Sequence, residues 1–536
     1  MKRLSVLLFG VALLALLPVK ALSQEAYVWY PGDGGHTLYF CYDDQRESRE
    51  GYTYDLNEGT NSPDWLQWNG YIMTVEFDST FVDARPTTTY RWFSNFWALN
   101  TIPTLSNLNT SEVTNMSYMF YSSSWLYNPD MSHFDTSNVT DMSYMFYNCQ
   151  NIGTLNLGSF NTSKVTSMKR MFYGCKMLGT LNLTSFDASN VTDMSYMFYG
   201  CESNFFKVNL SNKFNSCNVT NMSCMFANCT NISYSSIDFS KLNTSSVQNM
   251  RLMFANCSMI QTLDLRSFNT SNVTDMGEVF SGCTNLQNIY FGDFNNAKVT
   301  NMYNLFINCR NLKNLDLSTF YTPSVENMGC MFYGCKSLTK LDLSTFNTSN
   351  VTNMGSMFSG CSGLKSIDVS SFDISNTTSM SGLFNGCSSL TTLDLSNFNT
   401  SNVTNMGTMF YGCSALKTIY VDDDWSTDQV AASTNMFSNC TSLVGGMGTT
   451  YDAEHVDAAY AHIDGGATNP GYLSRKVLGD VNGDGNVTIA DVTALIDYLL
   501  GLDNTINLSV ADCNNDSQVT IADVTAMIDY ILNGQW

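Results

Sequence analysis

The chain has 536 residues, of which 44% are hydrophobic, 13% aromatic and only 13% charged. An ordinary soluble domain is about 25% charged. Disorder is nevertheless excluded, because 33 Phe, 28 Tyr and 29 Met supply far more apolar surface than a disordered chain has. The formal net charge of −22 argues against recognition of nucleic acid through its phosphates and favours a cation as partner.

The acidic residues concentrate at the two ends of the chain. Residues 24–88 contain 12 acids and 3 bases, and residues 478–536 contain 9 Asp but no Glu, Lys or Arg. The long segment between them is nearly neutral. Charge therefore divides the chain into an acidic start, a nearly neutral middle and an acidic end.

The first 23 residues have the pattern of a secretory signal peptide. Lys2 and Arg3 precede an apolar stretch over residues 4–17, and Ala21 and Ser23 supply the small residues of a cleavage site before Gln24. This stretch is shorter than the roughly 20 apolar residues that a membrane span requires. We therefore predict a protein that is exported to the cell surface or the medium, with no membrane span in the mature chain.

A repeat of 26 residues fills the middle of the chain. Its marker is a Phe that usually follows Met, and nine of the twelve steps between markers are 26 residues, two are 28 and one is 27. The markers are Phe120, Phe146, Phe172, Phe198, Phe226, Phe254, Phe280, Phe306, Phe332, Phe358, Phe384, Phe410 and Phe437. Phe93 marks a degenerate first repeat, so the period predicts a solenoid of about fourteen rungs.

A single repeat shows how each rung is expected to fold. Leu338, Leu341 and Leu343 alternate as in a short strand with one face inward, and a polar corner follows at 347–350. The spacing of apolar residues over 351–361 then favours one or two turns of α-helix or 3₁₀ helix. Columns of Asn, Ser and Thr would solvate the surface without stacking like charges, which explains the low charge. We predict an α/β solenoid over 89–445, flanked by an N-terminal cap at 24–88 and a C-terminal cap and linker at 446–476.

Twelve of the 17 cysteines follow the marker Phe by three residues. They are Cys149, Cys175, Cys201, Cys229, Cys257, Cys283, Cys309, Cys335, Cys361, Cys387, Cys413 and Cys440. In an exported protein they could form disulfides. A repeated, buried, unoxidised core position is the favoured interpretation. Metal binding is less favoured than either, because single thiols with no adjacent His do not build a four-ligand site.

The repeats resemble those of the BspA-type leucine-rich-repeat surface proteins of bacteria. The resemblance is carried by segments such as 338–346 and 347–361 and extends over about residues 90–445. The segments 39–45 and 469–472 are similar to the caps of that family, though less specifically. The resemblance implies a leucine-rich-repeat solenoid, display at the cell surface and adhesive binding to host or neighbouring-cell proteins.

Two segments near the C-terminus have the ligand spacing of calcium loops. Residues 480–491 and 512–523 place oxygen-bearing side chains at loop positions 1, 3, 5, 7, 9 and 12, as a roughly seven-coordinate Ca²⁺ requires. The predicted metal ligands are Asp480, Asn482, Asp484, Asn486, Thr488 and Asp491 in the first loop, and Asp512, Asn514, Asp516, Gln518, Thr520 and Asp523 in the second. The sequence therefore predicts two bound Ca²⁺ ions.

Each loop leads into an amphipathic helix, and the apolar faces of the two helices are expected to pack together. This loop and helix, present twice over 477–536, resembles the type I dockerin, a small all-α module. The resemblance implies docking onto a cohesin of a scaffold or surface protein through loop positions 10 and 11, which are Ile489, Ala490, Ile521 and Ala522 here. Ser517 replaces the Gly expected at position 6 of the second loop, which predicts a weaker second site.

Two other groups of residues have competing interpretations. His455 with Asp457 and His462 with Asp464 form a possible metal or acid–base cluster, but scattered polar residues of a cap account for them better. The tyrosines that follow the marker Phe form either an aromatic binding stripe or, as we favour, ordinary packing at a rung edge. They include Tyr147, Tyr173, Tyr199, Tyr333 and Tyr411.

The sequence favours a binding protein over an enzyme, because little chain remains for a catalytic domain once repeats and caps are removed. We predict a secreted, adhesin-like surface protein whose solenoid binds a host or microbial protein or glycan and whose dockerin binds cohesin. The alternative is an accessory or catalytic subunit of a polysaccharide-degrading complex. Neither hypothesis includes a nucleic-acid partner.

Overall fold

The computed structural model describes residues 23–292, 294–483, 485–502, 506, 508–516 and 518–536. The predicted signal peptide therefore lies, except for Ser23, outside the described residues. Within the described part of the chain, no helix is both long and apolar enough to cross a bilayer.

A four-stranded sheet covers the start of the repeats. Its strands are β1 (Glu25–Tyr30), β2 (Thr37–Asp43), β3 (Tyr52–Asp55) and β4 (Thr74–Phe77), in the order β3-β1-β2-β4. β1 is antiparallel to β2 and β3, whereas β4 is parallel to β2. The Phe40 ring packs 4.9 Å from Trp92 and 5.7 Å from Phe93, between ring centroids, so the sheet buries the open end of the first rung.

Short strands occur in only part of the repeat region. They are β5 (Thr180–Asn182), β6 (Lys207–Asn209), β7 (Thr262–Leu265), β8 (Asn288–Phe291), β9 (Thr392–Asp394) and β10 (Thr418–Val421), and β11 (Ser474–Arg475) follows in the C-terminal cap. Neighbours pair in parallel as β5-β6, β7-β8 and β9-β10-β11. Leu341 and Leu343 are buried although their rung has no assigned strand. The alternating Leu pattern therefore predicts which side chains are buried, but it does not predict where strands form.

Parallel backbone bridges connect each rung to the next along one column. The column runs through Thr88, Asn115, Asp141, Ser167, Asp193, Asn221, Asn249, Asp275, Asn301, Asn327, Asn353, Ser379, Asn405 and Ala432. Each step of the column spans one repeat, as the 26-residue period predicts. These residues lie between the polar corner and the marker Phe of their repeat.

Consecutive tight turns, and not a helix, close each rung, which corrects the sequence-based expectation for 351–361. The N–H of Met357 donates to the carbonyl of Met354, and Cys361 donates to Phe358 (both 3.1 Å). Other N–H groups of this segment bond to the neighbouring rung, since those of Ser356 and Gly360 donate to carbonyls of the next repeat. Both residues have positive φ, 56° and 73°, which no right-handed helix accommodates.

Isolated 3₁₀ turns account for the remaining helical structure outside the C-terminal module. They lie at Arg46–Ser48, Asp64–Trp68, Ser79–Asp83, Leu105–Asn107, Phe239–Lys241, Ala458–Tyr460 and Gly466–Thr468, with one more at Leu508–Val510 inside that module. No α-helix occurs in the described residues of the repeats, so the α/β description does not hold there.

The marker phenylalanines form one continuous stack inside the rungs. From Phe93 to Phe437, successive ring centroids are 5.3–6.1 Å apart and the ring planes are within 25° of parallel. Each buried side chain of this size contributes about 1.5–3 kcal/mol. The main cluster of buried residues extends from Val28 to Leu473, so the caps share the core of the repeats.

Like charges do stack at one position of the repeat, contrary to the sequence-based explanation of the low charge. Asp316, Asp342, Asp368 and Asp394 occupy equivalent positions in four consecutive repeats. Each carboxylate accepts a bond of 2.9–3.0 Å from the backbone N–H two residues later, which is a Ser in every case. Backbone and side-chain bonds from Ser344 lower the pKa of Asp342. The local turn therefore stabilises each charge despite its neighbours.

Two helices form the C-terminal module, α1 (Ile489–Leu499) and α2 (Ile521–Asn533). Val492 and Leu495 of α1 and Val524 and Met527 of α2 belong to one small buried cluster, separate from that of the repeats. The predicted apolar faces are buried only in part, because Leu500 and Leu532 are 67% and 73% exposed. Leu500 follows the last residue of α1, and Leu532 lies in the last turn of α2, beyond the region where the helices pack.

Candidate calcium loops and partner face

The first candidate loop folds around the carboxylate of Asp480. This side chain is 4% exposed and accepts bonds from the backbone N–H groups of Gly483 (2.9 Å) and Gly485 (2.8 Å). Asp491 closes the loop, since one of its carboxylate oxygens accepts the N–H of Asn482 at 3.1 Å. These bonds join loop position 12 to the backbone of position 3 and position 1 to the backbone of positions 4 and 6, whereas Asp484 lies outside the described residues.

The second candidate loop has the same construction. Asp523 is fully buried and accepts the N–H groups of Cys513 (2.8 Å) and Asn514 (3.2 Å). The N–H of Asp516 donates to the carboxylate of Asp512 (3.1 Å) and to the side-chain oxygen of Asn514 (2.9 Å). The N–H of Gln518 donates to Asp516 (2.9 Å). Ser517 lies outside the described residues.

The aspartate at loop position 12 also begins each helix. Thr488 is the N-cap of α1, its hydroxyl accepts the N–H of Ala490 at 3.2 Å, and Asp491 accepts the N–H of Thr488 at 2.9 Å. Thr520 and Asp523 form the same reciprocal capping box on α2. One carboxylate therefore joins the loop to the helix, so the loop conformation and the helix N-terminus depend on each other.

The donor set of both loops fits a hard divalent cation. The candidate side-chain ligands are carboxylate, amide and hydroxyl oxygens, and no thiol or imidazole stands among them. Cys513 lies within the second loop, but its sulfur is buried in the helix cluster, and burial raises its pKa to about 12. A neutral thiol in that position does not compete for a hard cation.

The predicted partner residues form an exposed face at the start of both helices. Ile489 is 69% exposed and Ile521 is 68% exposed, and Ala490 and Ala522 beside them are also exposed. Exposure of large aliphatic side chains at equivalent places in a duplicated module is unfavourable in water, and it is typical of a surface that another protein covers. The structure therefore leaves these four residues available to a partner.

The cysteine column is an interior hydrogen-bonded column without disulfides. All twelve thiols are free and buried, and each donates to the carbonyl of the marker Phe of the preceding repeat at 2.9–3.3 Å. Burial raises the pKa of Cys335 to about 12. Ser123 occupies the equivalent position in an early rung and donates to Phe93 in the same way (2.6 Å).

The histidine and aspartate pairs of the C-terminal cap have structural partners. Asp464 is 5% exposed and accepts bonds from the N–H groups of Met447 and Thr449 and from the Thr449 hydroxyl, at 2.7–3.0 Å. Burial opposes ionisation, but these bonds hold the pKa of Asp464 below its usual value. The Nδ1 atom of His462 lies 2.9 Å from the Ile463 carbonyl. The contacts of Asp464 and His462 are those of a folded cap.

Four tyrosines of the rung edge stack on one another, whereas Tyr333 and Tyr411 have no ring contact of this kind among the described residues. Tyr121, Tyr147, Tyr173 and Tyr199 lie in successive rungs with centroids 4.4–4.6 Å apart and planes within 10° of parallel. Arg170 lies over Tyr144 and Tyr196 in an adjacent column. Because neighbouring rings cover each other's faces, this column presents ring edges to solvent.

Ion pairs account for part of the acidity of residues 24–88. Arg46 pairs with Glu25 (3.3 Å) and with Asp55, and Arg49 pairs with Asp43 (2.8 Å). Asp43 also accepts the Tyr27 hydroxyl at 2.6 Å. A group of Cys41, Asp43 and Asp78 places three ligand atoms within 4.8 Å. Since Arg49 and Tyr27 already occupy Asp43, that group belongs to the fold of the cap.

Two family models match separate parts of the chain. The family model "Mycoplasma protein of unknown function, DUF285" matches residues 87–212, 200–290, 256–366 and 331–451, and the model "Dockerin type I domain" matches residues 478–532. None of the curated proteins compared with the chain matches it.

Two solved structures similar to the chain are leucine-rich-repeat proteins. One is a leucine-rich cell surface protein from Faecalibacterium prausnitzii A2-165, with 16% identity, a TM-score of 0.30, and coverage of 78% of this chain and 94% of that one. The other is a leucine-rich repeat protein from Eubacterium ventriosum ATCC 27560, with 17% identity, a TM-score of 0.32, and coverage of 75% and 90%. With family matches that together span residues 87–451, the chain belongs to the BspA-like DUF285 repeat family and carries a type I dockerin domain at its C-terminus.

Proposed function

We propose that this chain is a secreted, adhesin-like surface protein, in which a solenoid of about fourteen rungs binds a protein or glycan while the dockerin anchors it to a cohesin. The observation that carries the proposal is the duplicated C-terminal module, whose two loops place exposed Ile489 and Ile521 at equivalent positions. The dockerin would hold two Ca²⁺ ions through the twelve oxygen-bearing residues of its loops.

Calcium would act on the partner face through Asp491 and Asp523. Each of these carboxylates accepts loop N–H groups and caps the helix that begins with an exposed isoleucine. A cation bound in the loop therefore stabilises the helix N-terminus and, with it, the geometry of the partner residues. Because the two halves are nearly identical over 487–498 and 519–530, cohesin could dock in either of two orientations.

Capture by an array of type I cohesins tests the proposal. The chain starting at residue 24 should bind at least one cohesin in calcium and none in excess chelator. Substitution of Ile489 and Ala490 by Asp, or of Ile521 and Ala522 by Asp, should leave only one docking orientation and change the affinity for cohesin little. Substitution of all four residues should abolish capture. Capture that survives chelation or the fourfold substitution would contradict the dockerin role.

A further inference from the structure

The two 28-residue steps of the repeat coincide with a cleft on the surface of the repeats. Cys201 and Val219 are two residues further apart in sequence than the equivalent Cys175 and Val191, and the next repeat has the same expansion. The additional residues lie in the strand side of the rung, among residues 202–237. A cleft of about 760 Å³ opens there and extends to β7 and β8.

Aromatic and apolar side chains line this cleft with their surfaces open to solvent. Tyr234 is 65% exposed, Tyr290 is 51% exposed and Met259 is 52% exposed. Unlike the stacked tyrosines of the rung edge, neither tyrosine has an aromatic ring against it among the described residues. Arg266 lies over one face of Tyr290, but at least half of each tyrosine side chain is exposed and available to a ligand.

A fixed ion pair lies between the two tyrosines. The guanidinium of Arg266 binds Asp264 through Nε (2.9 Å) and Nη2 (2.6 Å) and lies 5.8 Å from the ring centroid of Tyr290. The bonds and charge of Asp264 raise the pKa of Arg266, to which the nearby Tyr234 and Tyr290 also contribute. These are the charged side chains of the cleft lining, and they neutralise each other. The cleft consequently selects for no net charge on its ligand.

The remaining lining consists of amide and hydroxyl side chains. Asn204, Asn231 and Gln261 carry groups that both donate and accept hydrogen bonds, and Ser233, Ser235 and Thr262 add hydroxyls. A sugar ring combines an apolar C–H face, which packs on an aromatic ring, with hydroxyls that also donate and accept. Exposed rings, bifunctional amides and zero net charge therefore fit a neutral oligosaccharide better than an anionic ligand.

We propose that the cleft between Tyr234 and Tyr290 binds a neutral glycan. This inference rests on the proposed binding role of the repeats and names its ligand class and its site. The two tyrosines would stack on sugar rings, while Arg266 and the side-chain amides would bind hydroxyls. A polypeptide is the competing occupant, and its binding at this site would count against the proposal.

Affinity electrophoresis and calorimetry with soluble polysaccharides provide the test. The probes are xyloglucan, arabinoxylan, galactan and galactomannan as neutral glycans, polygalacturonate as an anionic glycan, and gelatin as a polypeptide. The chain should bind at least one neutral glycan, and the Tyr234→Ala, Tyr290→Ala double variant should weaken binding by about tenfold or more. Tyr321→Ala is the matched control, because Tyr321 is 55% exposed but does not line the cleft.

Several results would overturn the inference. The first is that the chain binds none of the neutral glycans, and the second is that it binds only polygalacturonate or gelatin. The third is that the double variant binds a neutral glycan as tightly as the unsubstituted chain does. Both tyrosines are at least half exposed, so the variants are expected to fold, and equal thermal unfolding midpoints would confirm this. Cohesin capture, measured on the same samples, separates the two proposals. A chain that captures cohesin but binds only gelatin retains the proposed function and loses the glycan site.

Discussion

At the residue scale, the clearest feature is the use of one side chain for two purposes. Asp491 and Asp523 cap their helices and also stand where a calcium ligand is required. The cysteines likewise fill the core and donate to a carbonyl of the neighbouring rung, so oxidation is not needed to hold the rungs together. In both cases the hydrogen-bond partners, and not the residue type alone, define the role.

Asp491→Asn should weaken the first calcium site. The substitution keeps the size and one acceptor oxygen but removes a charge, so we expect calcium affinity at that site to fall by about tenfold or more. Calcium titration by calorimetry measures the change. Asp529→Asn removes the same charge from an exposed position of α2 outside the loops and is the control. Equal affinities for both variants would contradict the assignment of Asp491.

The cysteine column should resist alkylation in the folded protein. A pKa of about 12 for Cys335, raised by burial from 9.0, lowers its thiolate fraction near pH 8 about a thousandfold, since thiolate is lost as the pKa rises. Half-buried Cys217 is the internal control and should be modified first. Mass spectrometry after iodoacetamide treatment, with and without denaturant, checks this. Rapid native labelling of Cys335 would refute it.

Asn296→Thr should stabilise the protein. Equivalent Thr270 and Thr322 donate to carbonyls of the next rung at 3.0 and 2.9 Å, whereas both polar atoms of buried Asn296 lack a partner. Restoring that bond should raise the free energy of unfolding by about 1–3 kcal/mol. Denaturant unfolding measures it, and the reciprocal Thr270→Asn should lower stability by a similar amount. A lower free energy of unfolding for the Asn296→Thr variant would show that the Asn296 amide already has hydrogen-bond partners, contrary to the prediction.

At the scale of the element, each rung is closed by a series of tight turns that contain residues in the left-handed region, with positive φ. The residue two after the marker Phe has positive φ throughout and is Gly or Asn in every repeat except at Ser122. That column of Gly and Asn is the signal in the sequence that identifies turns instead of a helix. The apolar spacing of 351–361 is compatible with both structures, so spacing alone predicted the wrong one.

Gly360→Ala should destabilise the repeats. At φ 73° a Cβ is unfavourable by about 1–2 kcal/mol, and it would lie 3.4 Å from Gly334 of the neighbouring rung. The free energy of unfolding should fall by that amount. Gly158→Ala serves as the control, because Gly158 has no positive φ and the nearest atom to its added Cβ is also 3.4 Å away. Equal losses in both variants would mean that crowding, and not φ, is responsible.

At the scale of the whole molecule, the two largest of the separate buried clusters predict two unfolding events. One cluster contains the caps and repeats, and the other contains the packed faces of α1 and α2. Each repeat contacts mainly the repeats before and after it, so the cluster of the caps and repeats depends on stacking along its length. The small cluster depends on loops that carry an excess of carboxylates.

Calcium removal should therefore unfold residues 477–536 and leave the repeats folded. A ligand that binds only the folded module stabilises it by mass action, and its removal exposes mutually repelling carboxylates. Differential scanning calorimetry should show one transition that shifts with chelator and one that does not. Hydrogen exchange localises each transition to its segment. A shift of both transitions, or of neither, would contradict this independence.

From the amino-acid sequence we could predict the stacking of the repeats, the placement of the marker Phe and cysteine columns in the core, and the division of charge. These features depend on periodicity, and a period can be recognised in a sequence without knowing which distant residues are in contact. The dockerin domain was also predictable, because the oxygen-bearing residues of each candidate loop lie within twelve consecutive residues, and their assignment as calcium ligands stays a prediction.

Three features follow only from contacts in three dimensions: the hydrogen bonds between rungs, the pairing of Arg46 and Arg49 with cap acids, and the cleft beside Tyr234. Asp316, Asp342, Asp368 and Asp394 illustrate the reason. Their stacking follows from the period, but the bonds that make it tolerable depend on local backbone conformation. Hydrogen-bond partners and exposed faces are properties of three-dimensional neighbours, which a repeat pattern places in contact without specifying their geometry.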